Sequence, residues 1–264
     1  MIVRAAGDRL QLITQPDHAR LARSVMEHCA PLLTRARKGS ILQAIGEHDN
    51  GWAEEDAAPR VNPATGQVFD FVTAPDHVRQ GVWPRGVARL ANDPWAAALV
   101  AQHALTIYER YRTEHEWRPF IIEMEGARDA ILDASGLPLD ELLPDYVFVR
   151  LADLISLTFC TGWTDEQRFG DWRVERSGAR VIVTPDGFAG SEIPVEIEAR
   201  DIPNQPFRSD DELRSALSRA RGVVLKGSVS GPEADRDFFH HRGFNAEIRG
   251  GRGETPGNSS RLDP

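Results

Sequence analysis

YVFVRLADLISLTFC, residues 146–160, is the stretch whose reading decides the fold. Apolar residues occupy nearly the whole circumference of a helix drawn through it, as in a central bundle helix covered on every side. Asp153 falls in its middle. A carboxylate buried there is costly unless it is paired. Two partners are available to it: a divalent cation, or the guanidinium of Arg150, three residues earlier on the same helix.

Three histidines upstream fall on apolar helix faces of their own. Thr14 caps a helix with Pro16 in its first turn, and Leu21, Ala22, Val25, Met26 and Cys29 follow helical spacing with His18 on the same side. Ser40 and Gln43 have the spacing of a capping box, after which Ile41, Ala44, Ile45 and His48 recur along one face. That helix is expected to stop at Asn50-Gly51, where a bending backbone can aim His48 and Asp49 at one point. Asp93 and Pro94 open another helix, whose stripe of Ala96, Leu99, Val100 and Ile107 includes His103. Three imidazoles and two carboxylates inside helices make an expensive core. They are the donors that a hydrolytic divalent ion takes, with Mn, Zn, Ni, Co and Fe as candidates.

The remaining segments suggest a mainly α fold. Residues 1–14 read as a β hairpin around Gly7-Asp8, and residues 117–133 as a further helix. From Asp171 the pattern changes to alternating strands, WRVER, ARVIVT and IPVEIEA, followed by a helical DDELRSALSRA and a last strand GVVLKGSV. The expected architecture is a helical metal-binding bundle over residues 1–168, including the hairpin. A small α+β appendage over 169–231 would be formed by the C-terminal strands and that hairpin. The tail at 232–264 has too few apolar residues to offset the entropy of ordering and is expected to be disordered. Residues 52–74, rich in Pro, Asp and Gly, are expected to lie as a loop over the mouth of the site.

Composition narrows the function. A formal charge of -9 repels phosphate backbones, which argues against nucleic acid as a general partner. No run of eighteen apolar residues exists to span a membrane, and the first fifteen residues are too polar for a signal-peptide core. Cys29 and Cys160 have no metal-ribbon spacing, and a reducing cytoplasm suits them.

The order His, His-Asp, distant Asp on helices resembles the HD-domain superfamily of metal-dependent phosphohydrolases. QPDHARLA, EHDNGW, LVAQH and LADLISLTFC are together similar to a bacterial family of unassigned function within it, over roughly residues 1–230. The resemblance implies an HD-type helical bundle in which His18, His48, Asp49 and Asp153 hold one metal. It places His103 where a second ion or a phosphate would bind. The activity implied is hydrolysis of a phosphoester, a nucleotide or another small phosphorylated metabolite, by attack of metal-bound water. Asp49 would orient that water, Asp56 or Glu47 would handle a proton, and His103 would stabilise the phosphoryl group. Trp52 is a candidate supporting residue, and Arg79 and Arg85 are candidates to clamp the phosphate. Two alternatives stay open. A di-iron oxygenase would need further ligands such as His77 or His115, and a non-catalytic, metal-stabilised binding or regulatory module would need none.

Overall fold

A computed structural model describes residues 1–233 of the chain, so the tail expected at 232–264 lies outside the described residues from residue 234 onward. Strands β1 (Ile2–Ala6) and β2 (Arg9–Ile13) open the chain as a hairpin turned at Gly7, whose φ of +64° suits a residue without a Cβ. Thr14 then caps α1 (Gln15–Met26) by accepting from the N–H of Asp17 at 3.2 Å. A short α2 (Ala30–Leu33) leads into α3 (Lys38–Glu47), which begins before Ser40, so that Ser40 is inside its first turn and makes no cap. A single 3₁₀ turn and α4 (Ala53–Ala57) follow the His-Asp pair. Helices α5 (Asp76–Ala88), α6 (Pro94–Ile107), α7 (Arg118–Ser135) and α8 (Leu142–Thr161) complete the helical layer, with Asp93 capping α6 through the N–H of Ala96.

The second half of the chain supplies β3 (Gln167–Phe169), β4 (Trp172–Ser177), β5 (Arg180–Thr184), β6 (Ile193–Pro203), α9 (Asp210–Ser218) and β7 (Arg221–Ser230). They join the hairpin in one seven-stranded sheet of order β1-β2-β6-β7-β5-β4-β3, mixed because β5 and β7 run parallel. The hairpin enters through β2, which pairs with the end of β6 from Arg9↔Pro203 to Leu12↔Arg200.

This corrects the expectation of a mainly α bundle with a small appendage. The alternation along β6 buries Ile193, Val195, Ile197 and Ala199 on one face, and that face lies in the same apolar core as Ala22 and Val25 of α1 and Leu151 and Ile155 of α8. Val174, Val181, Val183 and Val229 from the neighbouring strands join it. The buried helix α8 therefore takes much of its cover from a sheet, and helix layer and sheet share one interior.

A smaller core holds Met1, Leu12, Val61, Val68, Ile202 and Phe207 against Leu213 and Leu217 of α9. It anchors the segment after α4. The Val61 N–H donates to Asp210 at 2.8 Å and the Phe207 N–H to the Gly66 carbonyl at 2.8 Å, so residues 61–68 are tied to the β6–α9 connection rather than laid loosely over the site. No helix among the described residues is long and apolar enough to cross a membrane.

Candidate metal centre

Four segments bring five side chains into one buried cluster of two triads that share His48. His18 comes from the first turn of α1, His48 and Asp49 from the end of α3, His103 from α6 and Asp153 from α8. Ligand atoms of His18, His48 and Asp49 lie within 4.8 Å of one another, and so do those of His48, His103 and Asp153. His48 belongs to both groups and stands at the centre. Its ring lies 4.9 Å from that of His18 and 5.1 Å from that of His103.

Local geometry explains how α3 presents two ligands in succession. His48 is the last residue with helical backbone angles, and Asp49 departs from them at φ -113°. The chain then passes α5 closely. A Cβ on Gly51 would lie 1.9 Å from the carbonyl oxygen of Val82, so glycine is required there for contact rather than for the turn.

Hydrogen-bond partners fix what each ring offers. His48 Nδ1 donates to the carbonyl of Ile45 at 2.7 Å, which leaves Nε2 bearing the lone pair when the ring is neutral. That Nε2 is buried without a hydrogen-bond partner and faces carboxylate oxygens of Asp49 at 3.6 Å and Asp153 at 3.5 Å. The Ser156 hydroxyl gives its proton to the Asp153 carbonyl, so its oxygen accepts from His18 Nδ1 at 3.0 Å. His18 Nε2 is 2.7 Å from Asp49 Oδ2, within hydrogen-bond distance. His103 Nε2 is 3.6 Å from Asp153 Oδ2, and its Nδ1 is 3.1 Å from the hydroxyl of Tyr146.

Such a convergence of acceptors needs positive charge among them. Burial pushes the His48 pKa down, yet the carboxylates of Asp49 and Asp153 outweigh it and raise the group to about 9. Burial works against both aspartates too, but the surrounding imidazoles, and Arg150 beside Asp153, hold both carboxyls below their usual range. His103 goes the other way: burial takes it to about 3 against the pull of Asp153, and a neutral imidazole is the form that binds metals. An orphaned, fixed Nε2 facing two carboxylates, with further imidazole nitrogens beside it, fits a divalent ion.

Arg150 also reaches Asp153, forming an ion pair with Oδ2. Of the two partners considered for Asp153, the guanidinium thus lies on Oδ2, while Oδ1 faces the imidazole of His48.

Other residues singled out from the sequence lie elsewhere. Asp56 is buried, but its oxygens are engaged by the N–H of Gln15 at 2.5 Å and the nitrogen of Met1 at 2.6 Å. Glu47, His77 and His115 are exposed, so the extra histidines do not join the cluster. Arg79 pairs with Asp76 and stacks on Trp117, while Arg85 donates to the Gly51 carbonyl at 2.6 Å and pairs with Glu54. Trp52 is part of the apolar core. Sequence reasoning missed Ser156 and Tyr146, which orient His18 and His103. The available signal was polar atoms within a helix whose other residues around the ring are apolar.

Residues 1–204 match the model of a family described as protein of unknown function (DUF3891). No curated protein and no solved structure matches the chain.

Proposed function

We propose that this chain, which belongs to the DUF3891 family, is a metal-dependent hydrolase of a small phosphoester, with its ion held by His18, His48, Asp49 and Asp153. One observation carries the reading: with Nδ1 of His48 held by the Ile45 carbonyl, its buried Nε2 faces two carboxylates and has no hydrogen-bond partner. A bound divalent ion supplies Lewis acidity and a water of lowered pKa. The chain's own residues position what it acts on. Ile45 and Ser156 hold the rings of His48 and His18, and Asp49 stands between them as acceptor. His103, kept neutral by burial, is available to donate to or accept from a reacting oxygen. The free, buried thiols of Cys29 and Cys160 accord with a cytoplasmic setting.

A second reading has an observation of its own. The side chains of the five cluster residues are only 0–8% exposed, as in an ion site that holds helices together rather than one that turns over substrate. Elemental analysis of the purified protein tests the metal, and hydrolysis of a phosphoester panel with that metal supplied tests the chemistry. About one ion per chain, lost in Asp153→Asn together with activity, is the expected result. A wild-type protein that binds no divalent ion would falsify the proposal, and one that binds it but hydrolyses nothing on the panel would leave the structural ion ahead.

A further inference from the structure

Arg150 differs from every other group at the centre in its exposure. Its side chain is 23% exposed and its guanidinium ends on Asp153 Oδ2, whereas the Asp153 side chain is 4% exposed and that of His103, which approaches the same oxygen, 2%. It runs from solvent to the cluster along one flank of α8, three residues from the aspartate it holds.

Charge counting gives this position a meaning. The carboxylates of Asp49 and Asp153 together carry two negative charges, which a divalent cation cancels. Arg150 then leaves one positive charge in excess at the partly exposed edge of a buried site, in a chain whose net charge is -9. A cation on Oδ1, the oxygen that faces His48, draws charge from the Asp153 carboxylate and loosens the guanidinium's hold on Oδ2, and a change of rotamer then releases the guanidinium toward solvent without moving the helix. A planar fork of N–H donors freed there matches the oxygens of an oxyanion.

We propose that Arg150 is the anion-recognition residue of the centre, giving up its hold on Asp153 to receive a small oxyanion of the phosphate type. The proposal rests on the metal-hydrolase reading and supplies its substrate class: an anion whose charged group faces α8. It gives the residue two opposed effects. Arg150 weakens cation binding by competing for Asp153 and strengthens anion binding once the cation is in place.

The test uses the full chain with Co²⁺, whose visible spectrum reports its surroundings, and inorganic phosphate as the anion, with acetate for comparison. Calorimetry gives Co²⁺ affinity for wild type, Arg150→Gln and Arg150→Lys, and spectral titration gives anion affinity. Arg150→Gln is expected to bind Co²⁺ at least as tightly as wild type and to lose about tenfold or more in phosphate affinity. Arg150→Lys, which keeps the charge without the fork and guards against a folding defect in the glutamine variant, should fall between them. Phosphate affinity within twofold of wild type in both variants, or weaker Co²⁺ binding in a folded Arg150→Gln, would overturn the proposal and leave the metal centre standing. Acetate matching phosphate in affinity and in Arg150 dependence would overturn the phosphate-type assignment. A wild-type protein that takes up no Co²⁺ would instead sink the metal reading itself, and this proposal with it.

Discussion

Ser156 accepts the Nδ1 proton of His18 at 3.0 Å and gives its own to the carbonyl of Asp153 at 3.1 Å, so one hydroxyl decides which nitrogen of His18 faces Asp49. Ser156→Ala removes that control while leaving the buried helix its shape. The expected outcome is a loss of roughly 10–100-fold in divalent-ion affinity, as for other groups that orient a ligand from behind, with stability lowered by only about 1 kcal/mol. Calorimetric ion titration beside chemical denaturation checks both. Affinity unchanged within twofold would mean that His18 needs no orienting partner. At this scale the sequence was informative about the five cluster residues, because a His or Asp on an apolar helix face is chemically conspicuous. It was silent about Ser156 and Tyr146, whose hydroxyls occur in many apolar helices and take meaning only from what lies opposite them.

Among elements, α3 ends at Glu47, before the Asn50-Gly51 pair expected to stop it, and that pair sits in the 3₁₀ turn. The glycine is demanded by α5, whose Val82 carbonyl would be 1.9 Å from any Cβ. Gly51→Ala must push α5 away or bend the strap that carries Asp49. It is expected to cost about 1–3 kcal/mol, as overpacking does, and to weaken ion binding as well. A variant that unfolds at the wild-type denaturant midpoint would show that this contact yields more easily than its geometry suggests. Helix starts provide a sharper comparison. Thr14 makes its cap and Ser40 does not, although both have the sequence signature. Thr14→Ala should therefore cost about 1 kcal/mol, and Ser40→Ala should stay within about 0.5 kcal/mol, both read from denaturation midpoints. Equal losses would mean that Ser40 caps after all. The box was misread because α3 starts at Lys38, before Ser40, a boundary that spacing alone does not locate.

For the whole molecule, all the strands but β3 were visible in the sequence, as was the joining of the hairpin to the C-terminal strands, but what the sheet packs against was not. Alternation in IPVEIEARDIP states that one face of β6 is buried, but contains nothing about what buries it. The answer lies across the chain in α1 and α8, whose apolar surfaces extend beyond what neighbouring helices cover. The consequence is measurable. Val174, Val181, Val183, Ile193, Val195, Ile197 and Val229 are buried from the strands into the shared core. At about 1.5 kcal/mol or more for each buried side chain, they contribute on the order of 10 kcal/mol. Total stability for a domain is itself roughly 5–15 kcal/mol. A fragment of residues 1–168 would lose that cover and also the β6 strand on which the hairpin pairs. It is expected to lack a cooperative thermal transition and to bind no divalent ion in calorimetry, while the full chain unfolds in one transition. A fragment that melted cooperatively and kept the ion would show that the helices need no sheet. The centre owes its geometry to the same cover: α1 and α8, which carry His18 and Asp153, pack against each other with the sheet closing over both, so metal affinity and the integrity of the strands should fail together.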